Sequence, residues 1–168
     1  MADRSMRILG LDPGTATTGY GIIDAVDGRL TMVAYGVIST PAGDPAPQRL
    51  QSIYHQLNAL LAEHRPTTAA VEQLFFGRNI TTAIAVGQAR GVLLLALAEA
   101  GVGLGEYSPP KVKEAVTGYG KAEKAQVQLM VRHMLDLAET PHPDDAADAL
   151  AIAIAHAQFE AFRVAVGE

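Results

Sequence analysis

Four carboxylates stand where their type and spacing could do chemistry: Asp12, Glu72, Asp145 and Asp148. Asp12 ends the short apolar run Ile8, Leu9 and Leu11 and is followed at once by Pro13 and Gly14, so it caps the carboxyl end of a buried strand, where open α/β sheets leave end groups uncovered. Glu72 ends a second apolar run that begins at Thr68. Asp145 and Asp148 are three apart in an apolar helical stretch with Ala146, Ala147 and Ala149 around them, which projects both carboxylates from one face. Like charges on neighbouring turns repel unless a cation lies between them. With Cys absent and His scarce, the set is all oxygen, which suits Mg²⁺ or Mn²⁺ rather than Zn²⁺.

Each acid also has a plainer explanation. Asp-Pro-Gly is ordinary turn sequence, Glu72 alone is a strand-end surface residue, and acids in a first helical turn offset the helix dipole. The dipole accounts well for Asp144, less well for Asp148, already a turn inside. Four acids at strand ends and on an apolar helix are what raises the chemical reading. Around Asp12, Thr15, Thr17 and Thr18 offer hydroxyls, and Gly19 and Gly21 are expected to let a phosphate backbone or an ion come close.

The net charge of −5 argues mildly against a protein coated in nucleic acid, but the basic groups are segregated. Between Tyr107 and Leu135, Lys111, Lys113, Lys121, Lys124 and Arg132 oppose only Glu114 and Glu123. Such a run is commonly a solvated helix face; Tyr107, Tyr119, Gly118 and Gly120 make it more like a nucleic-acid contact. Phe75 and Phe76, followed by Gly77-Arg78-Asn79, are either core aromatics or a platform on which a base stacks.

The elements that must position these groups follow from periodicity. Asp27-Gly28 between β-rich runs marks a hairpin, so the first three strands form an antiparallel meander. After a Pro/Gly-rich connection from Pro41 to Pro47, Leu50, Ile53, Leu57, Leu60 and Leu61 fall at helical spacing up to Pro66. Asn79 or Thr81 caps a helix whose Ile84, Ala85, Val92, Leu93 and Leu97 are expected to be buried and which Gly101 stops. Gly87 and Gly91 inside it imply close packing, a partner helix being one candidate. Val102 to Tyr107 reads as another strand, and the β-α-β alternation implies parallel strands with right-handed crossovers. Pro109-Pro110 opens a helix that breaks at Gly118. Another runs from about Ala122 to Leu137, and the last carries Asp145 and Asp148. The expected architecture is an α/β mixed five-stranded sheet, antiparallel meander then parallel strands, with helices on both faces.

At 168 residues and 49% hydrophobic, the chain suits a single domain over 1–168, with 1–5 and about 160–168 expected to be flexible. The segment Met1–Met6 lacks a basic and apolar leader, Val92–Ala98 is too short an apolar run to span a bilayer, and the absence of Cys is compatible with a reducing compartment. The expectation is a cytoplasmic protein that does not engage a membrane.

Taken in order, Gly10-Leu-Asp-Pro-Gly-Thr15 with Thr18-Gly-Tyr-Gly21, Val71-Glu-Gln-Leu-Phe75, Gly87-Gln-Ala-Arg-Gly91, Val112-Lys113 with Ala122-Glu-Lys-Ala-Gln-Val127, and Asp145-Ala-Ala-Asp-Ala-Leu-Ala-Ile-Ala-Ile154 form a specific series. In it the chain resembles the RuvC family of bacterial Holliday-junction resolvases, within the ribonuclease-H-like superfamily, from Met6 to His156. The resemblance implies that Asp12, Glu72, Asp145 and Asp148 are metal-binding catalytic carboxylates, that Phe75 stacks on a junction base, and that Lys113 and Lys124 contact the scissile region. Phe76, Arg78, Lys111 and Lys121 join them as expected DNA contacts. It further implies a homodimer that cuts two strands of a four-way junction symmetrically, in company with a branch-migration helicase. Two Mg²⁺ or Mn²⁺ ions per site, about 4 Å apart and bridged by a carboxylate such as Asp12, would serve an in-line displacement that leaves 5′-phosphate ends. Asp144 and Lys121 depart from the family pattern, the first adding a carboxylate beside the site and the second an extra positive charge in the basic turn.

Two other readings share parts of this pattern. An Asp-x-Gly-Thr turn also occurs in actin-like ATPases and sugar kinases, but those close a second domain over the nucleotide, for which this chain has no room. A non-catalytic DNA-binding protein on the same fold is expected to lack one of the four carboxylates, and all four are present.

Overall fold

The computed structural model describes residues 5–14, 16–74, 77 and 79–168. Its elements are β1 (Ser5–Pro13), β2 (Thr17–Val26), β3 (Arg29–Ser39), α1 (Ala46–His64), β4 (Thr68–Glu72), α2 (Ile80–Glu99), β5 (Gly103–Tyr107), α3 (Pro109–Thr117), α4 (Lys124–Met134) and α5 (Asp144–Val166). The five strands form one sheet in the order β3-β2-β1-β4-β5. β1, β2 and β3 pair antiparallel, the β2–β3 hairpin turning through Asp27 and Gly28, both at positive φ, while β4 pairs parallel to β1 and β5 parallel to β4.

Alternating side chains of β1 and β2 feed two cores. Ile8 and Ile23 pack with α3, α4 and α5 on one face, and Leu9, Leu11 and Ile22 pack with α1 and α2 on the other. β1 is therefore covered on both sides, which explains its uninterrupted apolar run. The parallel register puts Leu11 opposite Val71, so Asp12 and Glu72, each one residue further, emerge together at the carboxyl edge of the sheet.

α5 crosses β1 and β2 closely. A Cβ on Gly10 would overlap the Ala149 carbonyl, one on Gly19 the Asp145 carbonyl, and one on Gly21 would lie 2.7 Å from the Leu150 side chain. The missing side chains of Gly19 and Gly21 thus admit this protein's own helix, not a phosphate or an ion as the sequence suggests. Ala146, Ala147, Ala149, Ala151, Ala153 and Ala155, all buried, let the helix backbone sit that near the sheet. α5 is helical to Val166, with 161–168 exposed.

The far end of α5 carries a buried polar contact. His156 is 2% exposed; its Nε2 is 2.8 Å from Thr68 Oγ1 and its Nδ1 2.7 Å from the Tyr107 hydroxyl, whose ring stacks on Phe159.

α2 begins at Asn79, whose side chain accepts from the Thr82 amide, and ends before Gly101 at positive φ, both as the sequence suggests. Leu93 and Leu97 are buried as expected, but Ile84 and Ala85 are not: Ile84 is 57% exposed. The helix buries the face through Ala83, Ala89, Leu93, Ala96 and Leu97, which rotates Ile84 and Ala85 outward. Among the described residues, nothing lies within 4 Å of a Cβ built on Gly91, so their packing does not account for that glycine. Both α2 and α5 are long and apolar enough by composition to cross a membrane. α5 is a core helix of this sheet, and α2 leaves one apolar stripe uncovered.

Candidate active site

The site is built from one strand end on each side and the first turn of α5. Oxygens of Asp12, Asp145 and Asp148 all lie within 4.8 Å of one another. Asp145 is steadied by Thr17, whose hydroxyl donates to its Oδ2 at 2.6 Å. That hydroxyl therefore serves Asp145 rather than Asp12, around which the sequence places it. Glu72 adjoins the three: its charge acts on Asp12, and that of Asp148 acts on it.

The surroundings disfavour a full set of charges on these acids. Asp12 is pushed up to about 8, first by burial and then by the charges of Glu72, Asp148 and Asp145. Glu72 is also raised, by burial and Asp148, while the neighbouring Asp12 carboxyl and the charge of Lys113 pull it back. Asp148 is raised by burial against the opposing pull of Lys124. Burial and mutual repulsion disfavour negative charge on Asp12, Glu72 and Asp148, because no opposite charge compensates it fully. A hard divalent cation matches both that unmet charge and the all-oxygen donor set.

Two pockets meet at Glu72 and Pro109. One, about 280 Å³, is lined by Glu72, Lys113, Lys124 and Asp148, over a floor of Val112, Val127, Ala151 and Ile152. The other, about 220 Å³, holds Asp12, Glu72, Gln73, Leu74 and Arg90. α3 and α4 thus bring Lys113 and Lys124 to the acids from a distance in sequence. Lys124 Nζ lies 3.3 Å from Asp144 Oδ2 and 3.4 Å from Asp148 Oδ2. Lys111 and Lys121 are exposed and line neither pocket. Arg132 donates instead to the Leu137 carbonyl at 3.2 Å. Phe75, Phe76 and Arg78 lie outside the described residues; Gln73 and Leu74, which precede them, line the smaller pocket.

Arg90 is a pocket residue that the sequence reading misses as a site candidate. Its guanidinium pairs with Glu106 at 2.9 Å, and its Nε is buried without a hydrogen-bond partner among the described residues. The signal is its place on α2, three residues before Leu93 and seven before Leu97, an arginine on the helix face turned toward the sheet.

Comparison with known proteins agrees with this geometry. The family model for crossover junction endodeoxyribonuclease RuvC matches residues 8–156. A crossover junction endodeoxyribonuclease RuvC of Chloroflexus aurantiacus is 59% identical over 152 residues, 90% of this chain and 93% of that protein. One from Heliobacterium modesticaldum is 59% identical over 149 residues, 89% and 92% of the two chains. Among solved structures, T. thermophilus RuvC in complex with Holliday junction substrate superposes with a TM-score of 0.89 at 40% identity, covering 94% of this chain and 96% of that one. The yeast mitochondrial Holliday junction resolvase Ydc2 shares the fold, with a TM-score of 0.70 at 16% identity over 93% and 79% of the chains. With a five-stranded mixed sheet, acids at its carboxyl edge and a family match across almost its whole length, this chain belongs to the RuvC family of crossover junction endodeoxyribonucleases.

Proposed function

We propose that this protein resolves four-way DNA junctions by metal-dependent hydrolysis of phosphodiester bonds, with Asp12, Glu72, Asp145 and Asp148 as the acids that hold the metal. The observation that carries this reading is the oxygen cluster of Asp12, Asp145 and Asp148 within 4.8 Å, beside a pocket that also holds Lys113 and Lys124. These acids would hold Mg²⁺ or Mn²⁺, two ions being the expected number, which would supply an activated water and offset charge on the departing 3′ oxygen. The protein's own part is to fix the acids and aim the lysines. Thr17 orients Asp145, the β1–β4 register aligns Asp12 with Glu72, and α3 and α4 present two ammonium groups where negative charge grows on the attacked phosphate. The 5′-phosphate product ends follow from displacement of the 3′ oxygen. Exposed Lys111 and Lys121, with Phe75, Phe76 and Arg78, supply further contacts to the DNA arms.

A homodimer belongs to the same reading, because one acid set cuts one strand while two symmetric cuts resolve a junction. The uncovered stripe of α2 suits a second copy: Ile80 is 72%, Ile84 57% and Leu95 53% exposed, with Gly91 open beside them. Val92, Leu93 and Leu97 serve the protein's own core. A branch-migration helicase partner and a cytoplasmic setting complete the proposal, on the resemblance alone. The test compares cleavage of a synthetic four-way junction with that of a linear duplex of the same arm sequences in Mg²⁺. Junction-selective nicking supports the reading, and equal cutting of both substrates overturns it.

A further inference from the structure

Asp144 opens α5 one residue before the acid cluster but is exposed and contributes no oxygen to it. Both of its carboxylate oxygens are nonetheless engaged by α4. Gln128 Nε2 donates to Oδ1 at 3.2 Å, and Lys124 Nζ lies 3.3 Å from Oδ2. Lys124 and Gln128 are four residues apart, one turn of one helix face, so a single face of α4 grips a single carboxylate. The same ammonium lies 3.4 Å from Asp148 Oδ2. Lys124 therefore stands between a carboxylate that belongs to the cluster and one that does not.

The difference between these two anchors matters once a divalent cation is bound. A lysine ammonium is a compact charge on a flexible four-carbon stem, and one contact does not fix it. A divalent ion on Asp148 repels the ammonium and draws on the same carboxylate charge, which weakens that anchor. Asp144 lies outside the cluster and keeps its charge for Lys124, with Gln128 holding the other oxygen in place.

We propose that Asp144 is a positioning residue of the nuclease reaction: it holds Lys124 Nζ at the edge of the acidic pocket when Asp148 is engaged by a divalent ion. This rests on the reading of Lys124 as a catalytic residue. Without Asp144 the ammonium has only Asp148 to bind, and it either competes there with the cation or swings into solvent. In both cases cleavage slows while the junction, held by many other groups, stays bound.

The test is a double-mutant cycle on the full-length protein, read as the single-turnover cleavage rate of a prebound four-way junction in saturating Mg²⁺. Asp144→Asn is expected to slow cleavage about tenfold, the scale of a misplaced catalytic group, with junction affinity within about twofold of wild type. Asp144→Glu, which keeps the charge, should recover most of the rate. In a Lys124→Ala background, itself slow, Asp144→Asn should add less than about twofold, because the two residues act as one unit. A wild-type rate for Asp144→Asn overturns the assignment, as does an equal slowing in both backgrounds, which would mark a general effect of charge or helix docking. A wild-type rate for Lys124→Ala would remove the role of Lys124 itself, and that of Asp144 with it.

Discussion

Thr17 Oγ1 donates to Asp145 Oδ2 at 2.6 Å across a separation of 128 residues, tying the second strand to the first turn of the last helix. Because Asp145 Oδ2 is committed to that hydroxyl, the carboxylate's rotation is fixed relative to Asp12 and Asp148. Thr17→Val keeps the shape and removes the donor. We expect about a tenfold lower cleavage rate from lost orientation of an active-site group, and a stability cost of only about 1 kcal/mol for one hydrogen bond. A urea melt alongside single-turnover cleavage separates the two effects; an unchanged rate would show that Asp145 is held by other means.

Replacing Asp12, Glu72 or Asp148 by the matching amide should abolish cleavage and leave junction binding largely intact, since amides keep the volume but lose the charge that holds the ions. The same changes remove mutual repulsion among half-buried acids. Metal-free Asp12→Asn should therefore melt a few degrees higher than metal-free wild type and gain less from added Mg²⁺. Calorimetry with and without Mg²⁺ measures both, and wild-type turnover by two of the three variants would remove the metal mechanism.

The positions of the acids were legible because each obeys a rule visible in one dimension. Asp12 and Glu72 stop apolar runs, and Asp145 and Asp148 share a helical face. What occupies the space beside a glycine is not visible that way: Gly19 and Gly21 read as openings for phosphate, yet the occupant is the Asp145 turn and Leu150, more than a hundred residues later in the chain. Ile84 and Ala85 were misplaced for a related reason. α2 is apolar around much of its circumference, so periodicity does not say which face meets the sheet. Arg90 reaches the pocket only through that rotation, and the double grip on Asp144 only through the docking of α4 on α5.

Gly10→Ala and Gly19→Ala should each destabilise the fold by about 3 kcal/mol or more, because the added methyl meets backbone of α5 that cannot rotate away. Gly91→Ala, where a Cβ meets nothing within 4 Å, should leave the stability of the isolated chain unchanged or slightly raised. Chemical denaturation of the three variants checks the contrast; equal midpoints for Gly19→Ala and Gly91→Ala would contradict the close crossing of α5.

His156 gives a pH dependence of defined sign. Burial lowers its folded-state affinity for a proton, with Glu160 pulling the other way and Arg163 adding to the lowering. The unfolded chain takes up a proton near pH 6.5, so it binds more protons than the folded chain below that pH, and stability falls as the solution is acidified. The loss is at most about 1.4 kcal/mol per pH unit for one group. His156→Gln should flatten the profile between about pH 6.5 and 5 relative to wild type, measured as denaturation midpoints against pH. Parallel profiles would show that His156 is protonated inside the fold.

Self-association should depend on the uncovered face of α2. Ile84→Glu and Leu95→Glu place charges on the exposed stripe without touching the buried face, and Glu at Ala85 or Gly87 tests its flank. Light scattering should give a dimer for wild type and a monomer for Ile84→Glu, with paired incision of junctions reduced in step. A wild type that stays monomeric at micromolar concentration, even with a junction bound, would contradict the pairing.

The central claim is tested most directly by incubating the protein with a four-way junction labelled in turn on each strand, with Mg²⁺, with Mn²⁺ and with chelator. The account predicts paired incisions at symmetric positions on two opposing strands, only when a divalent ion is present, leaving nicked duplexes that a ligase seals without further treatment. Incision in the presence of chelator, or cutting of a single strand that leaves unligatable ends, would contradict it.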